Sequence, residues 1–147
     1  MTIQRALKVA AAHLLYAAGV LQMFQRRRLR AKALVLMYHR VLTAEERATT
    51  SSHPAIVVTR ETFERQMALL ARRFNVMSLE VFLRHMEECV PFPDSTVVVT
   101  FDDGWRDNVT NALPVLQRHA LPATVFLPSA YVGTDRVFWQ EALGSLL

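Results

Sequence analysis

Two adjacent carboxylates, Asp102 and Asp103, follow directly on the run Val97-Val-Val-Thr-Phe101 and are followed by Gly104. Neighbouring carboxylates repel one another, which raises the pKa of one of them, and a bound metal offsets that repulsion. A metal beside two carboxylates can activate a nucleophile near neutral pH and stabilise a developing oxyanion. The preceding run is apolar on both faces, as suits a strand buried in a parallel sheet under helices. Charges that end such a strand sit at its carboxyl end, where open α/β sheets and α/β barrels keep their reactive groups. On a regular strand Asp102 and Asp103 would point to opposite faces, and Gly104 offers the sharp turn that could bring the second round. Asp-Gly is also ordinary turn chemistry, so a turn with a helix cap is the competing reading.

The elements needed to place these acids can be read from periodicity. Ala33-Leu-Val-Leu-Met-Tyr38 is an apolar strand ending in His39-Arg40, and residues up to Arg60 show no strong period, with Thr49 to Pro54 reading as an exposed loop. Thr59 caps a helix whose apolar face is Phe63, Met67, Leu70 and Phe74, with Glu61 favourable in its first turn. Asn75 to Ser78 is a short strand, and Ser78 caps a helix with Leu79, Phe82, Leu83 and Met86 facing inward. Past Gly104, Asp107 starts a helical stretch with Pro114 in the first turn of its main segment, and Ala123 to Leu127 is the next strand. The alternation of strand and helix implies an α/β chain with a parallel sheet and crossover helices.

Composition narrows the class. The chain has 147 residues, of which 52% are hydrophobic and 20% charged, and a mean hydropathy of +0.16, enough for one domain with a core. Cys89 is the only cysteine, which excludes an internal disulfide and a thiolate metal cluster. The net charge of +4 is concentrated near the start, in Arg26-Arg27-Arg28, Arg30 and Lys32. No zinc-finger or helix-turn-helix pattern or interleaved aromatics accompany it, so nucleic acid is not an expected partner. Residues 1–32 read as a basic amphipathic helix with Ile3, Leu7, Ala11, Leu14, Ala18 and Leu21 on one stripe, packed on the domain or lying at a membrane surface. The uncharged stretch from Val9 to Phe24 is shorter than the roughly 20 apolar residues of a membrane span, and no small-residue cleavage site follows it. A cytoplasmic or membrane-associated chain is expected.

Several signatures fall in order: Met37-Tyr-His-Arg-Val41; Thr100-Phe-Asp-Asp-Gly104 with Trp105-Arg-Asp-Asn108; Leu113-Pro-Val-Leu116; Leu121-Pro-Ala-Thr-Val-Phe-Leu127; and Gly133 through Phe138-Trp139. Together they resemble the N-terminal part of the polysaccharide deacetylase family, the NodB-homology or carbohydrate esterase family 4 domain, over roughly Ala33 to Trp139. The resemblance implies that residues 33–147 are part of a distorted (β/α) barrel, usually of seven strands. It also implies a metal-dependent hydrolase, commonly with zinc, that removes N-acetyl groups from amino sugars of chitin-like polymers, peptidoglycan or exopolysaccharide. Carried over residue by residue, Asp102 would be the general base and Asp103 a metal ligand. His39, at the end of the first strand, could line the pocket or be a turn histidine. Trp105, Phe138 and Trp139 could meet sugar rings or serve as core anchors.

The family also supplies two ligands from a downstream His-Ser/Thr-x-x-His element. His13, His39, His53, His85 and His119 include no pair at that spacing, so a truncated or partial chain is expected. His119 reads as a structural residue near a helix end, His53 as a loop position and His85 as a solvated helix position, and Arg106 and Asp107 as a local pair or cap. Two readings from other classes compete: a non-catalytic remnant acting through membrane or partner association, and a magnesium phosphoryl-transfer enzyme. The second lacks a Gly-rich phosphate loop.

Overall fold

The computed structural model describes residues 30–138 together with Lys8, Ala12, residues 14–19, Met23 and Ala142. Most of the expected N-terminal helix, including Ile3, Leu7, Ala11 and Leu21 of its stripe, and Trp139 lie outside the described residues. Residues 14–17 are helical and exposed, and no described helix is long and apolar enough to cross a membrane.

Strand β1 (Ala33–Tyr38) leads through His39 into a second, three-residue strand β2 (Arg40–Leu42). Helix α1 (Ala44–Thr49) follows, and after a 3-10 turn at Pro54–Ile56 comes β3 (Val57–Thr59), which pairs in parallel with β2. No period points to these short elements, and the expected exposed loop at Thr49 to Pro54 is loop over Thr50 to His53, with Ser52 buried. Three-residue strands are too short to show a period, but α1 has a readable signal. Thr43 accepts from Glu46 N–H while the Glu46 side chain accepts from Thr43 N–H, a reciprocal capping box.

Helix α2 (Arg60–Arg73) starts where expected, with the Thr59 hydroxyl accepting from Thr62 N–H. It buries Phe63, Met67 and Leu70. Strand β4 shrinks to Asn75–Val76, and α3 (Leu79–Glu87) begins at its Ser78 cap. Leu83 and Met86 were expected to face inward but are 46% and 56% exposed. The half-buried Phe82 stacks on Phe92 instead of entering the main core.

Strand β5 (Thr96–Phe101) is the axis of the molecule, and all six of its residues are buried. It pairs in parallel with β1 along its whole length, from Ala33 opposite Thr96 to Tyr38 opposite Phe101. Its other edge takes β4 at the amino end and β6 (Thr124–Val125) at the carboxyl end, both also parallel. Five residues, Ala123 to Leu127, were expected in that last strand. Only two keep ladder geometry, and Phe126 N–H adds one further bond to Phe101 O. Between β5 and β6 lie a π-helical turn (Asn108–Ala112) and α4 (Leu113–Arg118), with Pro114 in the first turn of α4.

The core lies between the sheet and helices α2 and α4. Val41, Phe63, Met67, Leu70, Val97, Val99, Phe101, Ala112, Val115 and Leu116 form one buried cluster. Phe63 packs edge-on against Tyr38, and its ring centroid is 5.8 Å from that of Phe101. Burial raises the Tyr38 phenol pKa, and its hydroxyl donates to Gln66 Oε1. Outside the helices, Glu64 on α2 bonds both Arg118 at 2.6 Å and His119 at 2.9 Å at the end of α4. His119 thus has the structural role its position suggested. The described residues form an α/β arrangement with an open parallel sheet. Leu34, Val35 and Met37 on β1 remain 40%, 52% and 60% exposed.

Candidate active site

The carboxyl end of β5 carries the two acids. Asp102 N–H donates to Tyr38 O at 2.9 Å, one step beyond the Tyr38–Phe101 pair. That bond sets Asp102 beside His39, the residue that follows β1. Asp102, Asp103 and His39 are all half-buried. Neither carboxylate accepts a hydrogen bond from a described residue, so both keep lone pairs available to a ligand.

The turn was expected to rest on Gly104 alone. It begins one residue earlier: Asp103 has φ 70° and Gly104 φ 61°. Aspartate is among the few side chains that tolerate the left-handed region, and here it breaks the strand's alternation at the second acid itself. Gly104 is needed for a second reason. A Cβ there would collide with the Leu127 side chain just past β6.

Trp105 covers the turn. Its ring lies 4.2 Å from the Arg40 guanidinium carbon, and Phe138 packs on it at 5.1 Å. Its indole N–H is buried with no partner among the described residues. It also borders a largely apolar groove of about 540 Å³ shared with Gly104 and Leu127. Phe138 stacks in turn on Tyr131 at 4.6 Å, so both aromatics act as anchors of this corner.

Arg40 is held on all sides. Its Nε and Nη2 reach Asp107 Oδ2, each at 3.1 Å, and its Nη1 donates to Thr50 Oγ1 and Ser52 Oγ. Asp107 was expected to pair or cap locally, yet its partner is 67 residues away in sequence. Sequence reasoning also passed over Asn108 and Asn111. The available signal was that 107, 108 and 111 are polar yet continue the inward face of Ala112, Val115 and Leu116. All three are at most 6% exposed. Of the other histidines, His53 accepts from Ala55 N–H at its 3-10 turn. His85 stacks on Phe92 and is half-buried, not solvated as expected.

A zinc site takes three protein ligands and an open position for water. No three His, Cys, Asp or Glu side chains converge among the described residues. These residues alone therefore do not fit a metal, and Asp103 could be only one member of a larger ligand set.

Comparison with known proteins bears on the same segment. Residues 90–143 match the polysaccharide deacetylase family. Along this segment the chain resembles the polysaccharide deacetylases. It is 30% identical over 115 residues to YxkH of Bacillus subtilis, a protein named for polysaccharide deacetylation, covering 77% of this chain and 38% of that one. It is 33% identical over 78 residues to the poly-β-1,6-N-acetyl-D-glucosamine N-deacetylase of Staphylococcus epidermidis, covering 52% of this chain and 27% of the relative. The structure of IcaB from Ammonifex degensii superposes with a TM-score of 0.55 at 26% identity, over 71% of this chain and 41% of that one. A de-N-acetylase from Aggregatibacter actinomycetemcomitans shares the fold, with a TM-score of 0.57 at 22% identity over 70% of this chain and 40% of that one. The chain thus spans well under half the length of each of these relatives.

Proposed function

We propose that this chain contributes the carboxylate part of the catalytic centre of a carbohydrate N-deacetylase. The observation that carries the reading is the placement of Asp102 and Asp103 at the open carboxyl end of the buried β5, inside the segment that matches the family. In this reading Asp102 accepts a proton from the attacking water, whose oxygen adds to the amide carbonyl of an N-acetylated amino sugar. The carbon–nitrogen bond then breaks, acetate leaves, and the amine nitrogen takes the proton back. General-base assistance of this kind is worth roughly 10²–10⁴-fold.

Asp103 would be one ligand of a divalent ion, zinc by resemblance to the family, whose ligand set the described residues do not complete. Such an ion would polarise the carbonyl and lower the pKa of a bound water. His39 borders the site beside Asp102. Trp105, with one face on Arg40, serves the site by holding the turn. The S. epidermidis relative is named for a β-1,6-linked N-acetylglucosamine polymer, which supports an exopolysaccharide of that type as substrate. The whole domain in this reading is a distorted (β/α) barrel of which residues 33–147 form the first part, and the basic N-terminal segment brings it to anionic lipid.

The test is acetyl loss from N-acetylglucosamine oligomers, followed by mass spectrometry. The assay uses the chain alone and the chain extended, with the rest of a relative's domain, to full barrel length. Deacetylation by the extended chain supports the reading. An extended, folded, metal-loaded chain that leaves every oligomer acetylated refutes it and favours a non-catalytic remnant.

A further inference from the structure

Three polar side chains at the start of the segment after the acids reach across to one short stretch of backbone. Asp107 Oδ1 accepts from Val41 N–H at 2.7 Å, Asn108 Nδ2 donates to His39 O at 2.7 Å, and Asn111 Nδ2 donates to Val41 O at 2.8 Å. That stretch, residues 39–41, directly follows Tyr38, whose carbonyl accepts from Asp102 N–H. The loop bearing Asp102 and Asp103 is therefore fastened at both ends to residues 38–41. The π-helical turn widens the helix just where these side chains leave it, a feature that recurs at functional sites.

A purely local role does not account for this arrangement. Asp107 occupies the cap position of its own helical turn but makes no side-chain cap bond there. Its carboxylate, 5% exposed, is spent on Arg40 and on Val41 N–H. Arg40 in turn is fixed by Thr50, Ser52 and the face of Trp105. Removing one partner of a buried ion pair leaves an uncompensated charge, so such a pair holds its geometry firmly.

We infer that Asp107 is a positioning residue for the Asp102–Asp103 carboxylates, acting through the backbone of residues 39–41. This rests on the deacetylase reading for what the carboxylates do. The anchoring itself can be measured without substrate.

The experiment compares the full chain with Asp107→Asn, Asp107→Leu and Asn108→Ala by amide hydrogen exchange and by the ¹³C shifts of the Asp102 and Asp103 carboxyls. Asp107→Asn keeps an acceptor for Val41 N–H, whereas Asp107→Leu keeps none. The expected result for Asp107→Leu is exchange at Val41 and Asp102 faster by about tenfold or more. Both carboxyl carbons should shift, while exchange in the middle of β5 is unchanged. Asp107→Asn should restore most of the protection, and Asn108→Ala should loosen the same loop if Asp107→Leu fails to fold. Unchanged exchange at Asp102 and unmoved carboxyl carbons in a folded Asp107→Leu chain, or in Asn108→Ala where that variant alone folds, would overturn the inference. In the deacetylation assay the extended Asp107→Asn chain should lose kcat by roughly tenfold with KM little changed, since a small misplacement of reacting groups acts on the chemical step. Equal kcat would also count against positioning. If the parent itself deacetylates nothing, the deacetylase reading falls, and the exchange and carbon shifts still decide the anchoring.

Discussion

At Asp103 the backbone turns left-handed with φ 70°, a conformation that costs a non-glycine residue roughly 1–2 kcal/mol, less for aspartate than for most. In the deacetylase reading, holding that conformation with a carboxylate rather than a glycine trades stability for a metal ligand. Asp103→Gly should therefore raise the denaturation midpoint, by the equivalent of about 1 kcal/mol. In the extended domain the same change should lower metal content and deacetylation together. A chain destabilised by Asp103→Gly would show that the strain is absent. Gly104→Ala should go the other way, by about 1–2 kcal/mol, because it adds a left-handed penalty and pushes on Leu127. Both acids were plain in the sequence, since an apolar run stopped by charges needs no long-range information. Asp107 was not. Its partners Arg40 and Val41 come from the far side of three helices and three strands, and nothing local to Arg106-Asp107 separates a cap from an anchor.

Elements with strong periods or caps were legible for a physical reason: their signals are contained within a dozen residues. Thr59 and Ser78 cap the helices they were expected to cap, and β5 is buried throughout. β2 and β3 escaped because three residues show no alternation, and they exist only through each other. β6 was overextended because apolar content does not say where pairing stops. The packing of α2 on α4 yields a pH dependence. A hydrogen bond from His119 does most to hold the Glu64 pKa below its ordinary 4.5; desolvation, the next largest effect, opposes it, and the hydrogen bond and charge of Arg118 add to the lowering. A carboxylate with a depressed folded pKa adds stability at pH values above its unfolded pKa, and that increment is lost as pH falls through the folded value. Glu64→Gln should therefore be less stable than the parent near neutrality and converge on it below pH 4.5. Parallel stability curves for the two from neutral to acid pH would contradict the clamp.

At the scale of the molecule, the described residues leave apolar surface exposed beside Trp105. Val109, Val125 and Leu127 are 64%, 43% and 61% exposed around the groove beside Trp105, and the neighbouring Phe126 is 50% exposed. An exposed apolar patch of this kind with open sheet edges favours association. The 147-residue chain should accordingly form oligomers by light scattering and lack a tight zinc site by calorimetry. A stoichiometric tight site in a monomer would contradict that expectation. The basic segment at residues 1–32 should bind anionic vesicles at low salt, and equal binding by a chain starting at Lys32 would remove it from the account. The central claim is the role of Asp102, and one measurement reaches it most directly. Deacetylation of an N-acetylglucosamine oligomer is compared between the extended domain and its Asp102→Asn variant, with metal content measured in both. The account predicts retained metal and a loss of turnover of roughly 10²–10⁴-fold, because an amide of nearly the same shape cannot accept the water's proton. Turnover close to that of the parent, with the metal in place, would contradict it.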